Sequence, residues 1–443
     1  MRRAVLLPLL AFVSCAAPST APAPGSSRLR LIIETDAGGD PDDEQSLVRF
    51  LLYANEWDVE GIIANRPRAR EKENLNAERT GLGIVRAFIA AYAEAWPNLL
   101  RHDARYPAPD ALRQKTVAGY DDTEDGVELL IAAVDRPDPR PVWFSNWGTD
   151  KGSAVSCLKR ALDRVLRERG PEGYARFKSR IRLSSADKFG EHTTTIAPPF
   201  PLWIDTFSPE IDRKRWYHRF SVLTAKAGGF DLERHVRTGH GPLGALYPVN
   251  TTHAQKEGDS MSFLYLVPTG MNDPEQPTWG SWGGRYGLRD DVGGKPYYWA
   301  NQTDAWKGTT DRDQVLGRWA VALQNDFRAR MEWCVKSSGT ANRPPEARLR
   351  GPDRFRARSG VDVPLDASNS SDPDGDRLSF EWIHYREPGG NWTEATFEGQ
   401  GSRVSFKAPV VKAPEAMHVI LAVTDSGAPP LTRYRRVIVT IEP

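Results

Sequence analysis

The stretch Leu31-Ile32-Ile33-Glu34-Thr35-Asp36-Ala37-Gly38-Gly39-Asp40-Pro41-Asp42-Asp43-Glu44-Gln45-Ser46-Leu47 begins as a short apolar run and bends through a turn with four aspartates and two glycines. It leaves with Leu47, Val48, Phe50, Leu51 and Leu52 at helical spacing. The pattern is strand, loop and helix, with carboxylates at the C-terminal end of the strand. In an open α/β sheet that end faces the ligand crevice. Carboxylates crowded into one turn repel one another, and a bound cation removes the repulsion. An oxygen-only donor set selects a hard ion, Ca²⁺ ahead of Mg²⁺. A plainer reading makes Asp40, Asp42 and Asp43 the N-cap and dipole partners of the helix. Capping needs one Asp and no glycine pair, which favours the cation.

Outward from this stretch the alternation continues. Trp57 to Asn65 reads as a second buried strand, completing a β-α-β unit and bringing Asn65 to the same rim, where it is alternatively a turn former. From Glu73 to Ala95 the apolar residues follow a helical period, Asn98 to Tyr120 is loop-rich, and Asp125 to Val134 is a helix. Pro141 to Thr149 reads as a central strand whose polar end, Asn146 to Thr149, points to the rim. Arg180 to Ser185 is a further strand, leading to Asp187. Order weakens from Thr193 to Thr252, and loops of that length in an α/β domain are usually functional. It returns at Glu257 to Leu266. Gly270 to Tyr286, with Trp279 and Trp282, suits a sugar-facing wall, and a helix from Asp313 to Val335 closes the domain. These signals predict an α/β fold over residues 28–341, a mainly parallel sheet with flanking helices.

Residues 342–443 change character. After the linker Asn342-Arg343-Pro344-Pro345, short alternating segments spaced by turns predict a separate, small all-β sandwich. The aspartates of Ser371-Asp372-Pro373-Asp374-Gly375-Asp376 are open to a cation, although Asp-Pro-Asp-Gly also suffices as a turn.

At 443 residues the chain is long enough for two or three domains, and 59 Lys and Arg against 58 Asp and Glu leave no basic footprint for nucleic acid. Residues 1–27 read as an export signal and tether: a basic start, an apolar run from Ala4 to Val13, small residues, then a Pro, Ala and Ser-rich stretch. Phe12-Val13-Ser14-Cys15 is similar to a lipoprotein box, with Cys15 as the lipid anchor; cleavage near Ala16-Ala17 is the alternative. Either predicts an exported protein, periplasmic, membrane-anchored or extracellular. Cys157 and Cys334 are open to pairing in an oxidising compartment.

Glu34-Thr35-Asp36-Ala37 with Asp42-Asp43 resembles the nucleoside hydrolase signature Asp-Thr-Asp-Pro-Gly-x-Asp-Asp. Glu34 stands for the first Asp, Ala37 for the Pro, and two extra residues widen the loop. The run from Thr35 to Asp43, the residues Gln45 to Ile63, and Gln324-Asn325-Asp326-Phe327 resemble one bacterial branch, the Sde182-like cellulose-binding proteins with a nucleoside hydrolase-like domain. Residues 342–443 resemble PKD or cadherin-like immunoglobulin-type modules. The resemblance implies Ca²⁺ held by Asp36, Asp43, a carbonyl near Thr149, and Asp259 as the late aspartate. It implies Asp36 as general base, with Asp42, Asn65 and Asn146 facing the substrate beside Trp279 and Trp282. Gly258 stands where the family commonly has a His that helps the leaving group. Two functions follow. One is an exported, calcium-dependent hydrolase of a glycosidic or N-glycosidic bond, acting on a nucleoside-like molecule or carbohydrate. The other is a polysaccharide-binding, cellulose-binding protein on a hydrolase fold.

Overall fold

A computed structural model of the chain describes residues 28–72, 74–148, 156–185, 197–206, 227–249, 255–289, 293–389 and 395–443. The expected export segment and Asp187 lie outside them. The first part runs β1 (Leu29–Thr35), α1 (Asp42–Leu52), β2 (Trp57–Ala64), α2 (Gly81–His102), α3 (Pro109–Gln114), β3 (Thr116–Ala118), α4 (Asp125–Asp135), β4 (Val142–Asn146), α5 (Cys157–Ser179), β5 (Ile181–Ser185) and β6 (Trp203–Asp205). After α6 (Ser260–Leu264) come β7 (Gly287–Leu288), β8 (Tyr297–Trp299), the hairpin β9 (Asp304–Trp306) and β10 (Thr309–Asp311), and α7 (Ala320–Trp333).

Strands β1 to β8 form one sheet in the order β3-β2-β1-β4-β5-β6-β8-β7, parallel throughout except for β7. Successive strand residues point to opposite faces. Leu31 and Ile33 accordingly join a core with Leu47, Phe50 and Leu51 of α1 and Ile84 and Phe88 of α2. Ile32 joins a second core with Val127 and Leu130 of α4 and Leu158 and Leu162 of α5. A strand covered on both faces reads as the unbroken apolar run seen here. Cys157 and Cys334 are both free and belong to different cores, so the possible disulfide is excluded. Among the described residues no helix is long and apolar enough to cross a membrane.

Two helices depart from expectation. The expected end at Ala95 is displaced: α2 continues through Pro97 to His102, with Thr80 accepting from the Gly83 amide at its start. The expected helix from Asp313 to Val335 is two pieces, Gln314–Gly317 and α7.

The last hundred residues form β11 (Arg354–Arg358), β12 (Asp362–Asp366), β13 (Ser379–His384), β14 (Phe397–Gln400), β15 (Arg403–Lys407), β16 (Glu415–Thr424) and β17 (Thr432–Glu442). A four-stranded sheet, β11-β17-β16-β13, faces a three-stranded one, β12-β15-β14, across a core that includes Leu365, Phe406, Val419 and Val439. This sandwich is not separate from the first domain. Tyr385, Ile420, Ala422 and Tyr434 belong to the same core as Leu31. Strand β11 covers β17 only from Ile438 onward; earlier, the Tyr434 and Arg436 amides donate to the Thr269 and Gly270 carbonyls at 2.9 and 3.0 Å. Gly270 has φ +89°, and a Cβ there would lie 1.9 Å from the Tyr434 carbonyl oxygen. Buried Asp326 accepts from Tyr53 (2.7 Å), Arg330 (2.8 Å) and Arg433 (2.7 Å), joining α1, α7 and β17. Buried Asp304 likewise accepts from Arg285 (2.8 Å) and from Tyr385 of the sandwich (2.7 Å).

Candidate metal centre

Strand order reverses direction at β1, which lies between β2 and β4, and the crevice at such a point is where open α/β sheets bind ligands. Asp36 follows β1, Asn65 follows β2, and Asn146 ends β4. The Asn65 side chain donates to the Gly148 carbonyl at 2.7 Å, bridging the two flanking strand ends. Gly148 lets β4 approach: a Cβ there would stand 2.7 Å from Asp36 Oδ1. Beneath them, buried Glu34 accepts from Asn146 Nδ2 at 3.0 Å and from the Cys157 amide at 2.9 Å. Burial pushes the Glu34 carboxyl up to about 7, against these hydrogen bonds.

The carboxylates converge over this rim. Asp40, Asp42 and Asp43 each offer an oxygen within 4.8 Å of the others. Asp42, Asp43 and Asp259 are buried, while the Asp36 side chain keeps 18% of its surface exposed. Thr35 Oγ1 donates to Asp43 Oδ1. Burial, followed by the charges of Asp259, Asp36 and Asp42, raises the Asp43 carboxyl well above the carboxylate range. Burial and then Asp42, Asp36 and Asp40 do the same to Asp259. Asp42 is raised by burial and by Asp40. Asp42 Oδ1 and Asp259 Oδ2 are buried without a hydrogen-bond partner among the described residues. A buried acceptor left in this state is costly, and an oxygen-only set of mutually repelling carboxylates with two orphaned oxygens fits a hard cation.

Lys256 supplies part of the compensation. Its Nζ contacts Asp40 and lies 3.4 Å from Asp42 Oδ2. Burial works to lower the ammonium, but Asp42 and Asp40 carry it above its ordinary value. The capping half of the plainer reading does not hold, since α1 begins at Asp42 with Pro41 at the N-cap and no side-chain cap bond; Asp42 and Asp43 do stand in its first turn, where they complement the helix dipole.

Helix α1, buried along its whole length, sets where Asp259 stands. Gln45 Oε1 accepts from the Lys256 and Glu257 amides at 2.7 and 3.1 Å. One turn later Arg49 holds Glu257 through both Nε and Nη2, the latter at 3.0 Å, with its guanidinium 3.7 Å from the centre of the Phe327 ring. On the other side Ser262 of α6 bonds Ser145 of β4 (2.8 Å) and receives Ser184 of β5 at its carbonyl (2.6 Å). Asp259, immediately before α6, is thus fixed from α1 and from the sheet.

Of the residues expected here, Asp36, Asp42, Asp43 and Asp259 lie together, with Asn65 and Asn146 on the same rim. Asn146 is buried and turned to Glu34 through its nitrogen. Thr149 is outside the described residues. The sugar-facing assignment of the two tryptophans is corrected. Trp282 is 1% exposed and packs edge-on against Tyr434. Trp279 lies against His418 and under Arg354 and Arg436. Trp282 is buried in the seam with the sandwich and Trp279 lies half-buried at its edge, because Thr269, Gly270, Met271 and Trp279 hydrogen-bond β17 through their carbonyls. Lys256, Gln45 and Arg49 were missed: their partners are distant in sequence, so only the fold reveals their roles.

The family model described as "Cellulose-binding Sde182, nucleoside hydrolase-like domain" matches residues 30–286, and that described as "Cellulose-binding protein Sde0182, C-terminal domain" matches residues 362–441. A solved nucleoside hydrolase-related hypothetical protein from Saccharophagus degradans, associated with carbohydrate metabolism, is 30% identical with a TM-score of 0.73. The match covers 94% of this chain and 100% of that one. A titin and obscurin-like immunoglobulin complex and murine CRIg, at 17% and 10% identity, each cover 22% of the chain with TM-scores of 0.16. No curated protein matches the chain.

Proposed function

Because the chain belongs to the cellulose-binding Sde182 family with a nucleoside hydrolase-like domain, we propose that it is a carbohydrate-binding protein whose switch-point carboxylates hold Ca²⁺ and grip a sugar. The single observation that carries this is the convergence of Asp36, Asp42, Asp43 and Asp259 with two orphaned buried oxygens at Asp42 and Asp259. Asp36, Asp43 and Asp259 would be the protein ligands. The cation, when bound, supplies Lewis acidity toward hydroxyl groups and water. Asp42 and Asn65 border the same crevice and would orient sugar hydroxyls, with the Lys256 ammonium 3.4 Å from Asp42 Oδ2.

The partial exposure of Asp36 favours a second reading, hydrolysis of a glycosidic or N-glycosidic bond. As the most open carboxylate of the ligand set, it would accept a proton from an attacking water as charge develops on the sugar ring. Leaving-group help is the weaker part of that reading: among the described residues, His102 is engaged by the Lys336 carbonyl and His418 by Arg436, and Gly258 offers no side chain.

Asp36→Asn separates the two. The amide loses the charge that binds Ca²⁺ and the basicity that accepts a proton. Calcium affinity should fall at least about tenfold, roughly 1.4 kcal/mol. Cello-oligosaccharide binding should fall with it, and any turnover of nucleosides or glycosides should vanish. Unchanged calcium affinity in folded Asp36→Asn would refute the metal assignment. Sugar binding that persists without calcium would place recognition elsewhere.

A further inference from the structure

The parallel strands all begin at the edge of the sheet opposite the Asp36 crevice, and a cavity of about 300 Å³ opens there. Its walls come from the segments that lead into the strands: Arg28 before β1, Asp58 and Glu60 in β2, Lys115 before β3, and Arg136 and Arg140 between α4 and β4.

Glu60 takes three cations. Arg30 Nε, fully buried, lies 2.9 Å from its Oε1, Arg136 Nη2 contacts the same oxygen, and Lys115 Nζ lies 3.6 Å from Oε2. Asp58 takes two more, Arg28 Nη2 and Arg140 Nη1, each at 2.6 Å. Asp138 shares Arg140, at 2.6 Å, and Arg30, at 3.7 Å. Five cations therefore meet three carboxylates, and two positive charges are left in surplus. Arg105, also in the wall, is answered separately by Asp103 at 2.6 Å. A network that served only to fasten strand ends has no use for an imbalance. The like charges weigh on one another: burial and then Arg30 lower the Arg136 guanidinium, and burial lowers the Lys115 ammonium, with Asp58 opposing and Arg30 adding.

The surplus stands on the open side. Lys115 and Arg136 keep 40% and 45% of their side-chain surface exposed, against 4% for the Glu60 they share with Arg30. Val59, Pro107, Ala111 and Leu112 give the same cavity an apolar side. A guanidinium and an ammonium suit the oxygens of a carboxylate or phosphate. An apolar side suits the body that carries such a group, in a cavity at the small end of the ligand range, roughly 300–1,000 Å³.

We propose that this cavity binds a small organic dianion, a phosphate monoester or a dicarboxylate, with its oxyanion held by Lys115 and Arg136 and its body against α3. The ligand neutralises the surplus, and its binding stabilises the folded chain. The site lies across the sheet from the metal centre and works without it.

The test uses the full chain. Calorimetric titration with glucose 6-phosphate and with succinate, beside glucose as the neutral control, should give saturable binding of at least one dianion and none of glucose. Binding should weaken as sodium chloride is raised. The preferred dianion assigns the head group. Lys115→Gln/Arg136→Gln should bind at least about tenfold more weakly, while Asp36→Asn should bind as the parent does. The double variant keeps Arg30 on Glu60, so without a dianion its unfolding midpoint should equal or exceed the parent's. The dianion should raise the parent's midpoint and leave the variant's unmoved. Arg136→Gln alone, at the more exposed position, decides the matter if the double variant does not fold. Failure of both dianions to bind, or equal binding in the folded variant, would overturn the proposal. A variant that unfolds earlier, with dianions moving neither midpoint, would reduce the cations to fasteners of the strand ends.

Discussion

Gly148 carries the sharpest constraint on any single residue in the crevice. A methyl group at its α-carbon would sit 2.7 Å from Asp36 Oδ1, and what must yield is the end of a short side chain, with no backbone in the way. Gly148→Ala is therefore expected to fold while turning the Asp36 carboxylate aside. Calcium affinity should drop at least about tenfold, and because Gly148 holds φ +158°, a backbone conformation that L side chains rarely adopt, the midpoint of thermal unfolding should fall as well; calorimetric titration and circular dichroism measure the two. The sequence makes Asp36, Asp42 and Asp43 readable because one glycine-bent turn contains them all. Asp259 becomes readable only through family likeness, since more than two hundred residues intervene. Lys256 gives no signal: a lysine between Gln255 and Glu257 looks like any surface lysine until the fold brings it against Asp40 and Asp42. Trp279 and Trp282 mislead for the complementary reason. An indole suited to stacking on a sugar is equally suited to packing on Tyr434 or under Arg436, and composition does not distinguish the two.

Helix α1 is the element that turns a local motif into a site. Its first turn carries Asp42 and Asp43, and its last carries Arg49, which faces Glu257 with both side chains fully buried. Removing one partner of such a pair leaves a bare charge in the interior, at a cost of about 3–5 kcal/mol. Arg49→Met should lose stability on that scale in urea unfolding. Replacing both partners, as Arg49→Met with Glu257→Met, should recover much of the loss. The alternation of apolar strand and amphipathic helix was legible because period-two and period-3.6 patterns are set by contact with the two cores. Helix ends were less so. Pro97 suggests a stop, yet Leu99 of the following turn is buried in the first core, and that packing outweighs the missing hydrogen bond. Gln324-Asn325-Asp326-Phe327 is readable only as a likeness until the structure gives it work. These residues hold Arg49, the Pro430 carbonyl, the Arg330 and Arg433 pair, and the underside of Arg49 again.

At the scale of the molecule the two halves are joined through a seam that responds to acid. His418 is buried there beside Arg436, Arg354 and His384, and accepts from Arg436 at its Nδ1, 2.9 Å away. Burial first, then the charge of Arg436, pulls its pKa down to about 3. The unfolded chain binds this proton near pH 6.5, so the contribution is complete above that value. It is lost progressively as pH falls from 6.5 towards 3, to a total of about 5 kcal/mol. Stability measured in urea should thus fall between pH 7 and 4.5, and His418→Gln should flatten that part of the profile. A profile with the same slope in the variant would assign the loss to other groups. The sequence suggested a detached sandwich because Asn342 to Pro345 looks like a linker. It could not reveal that β11 stops short and leaves half of one edge of β17 to Thr269 and Gly270. That half-edge has an evolutionary meaning. A module exchanged between proteins as a cassette must carry a finished surface of its own, whereas these sheets borrow theirs from the neighbouring loop. Recombination at residue 342 would strip hydrogen bonds from β17 and uncover Tyr434 together. The two halves are therefore expected to have been inherited as a pair, and a lineage that changes its ligand must do so by substitution within the pair.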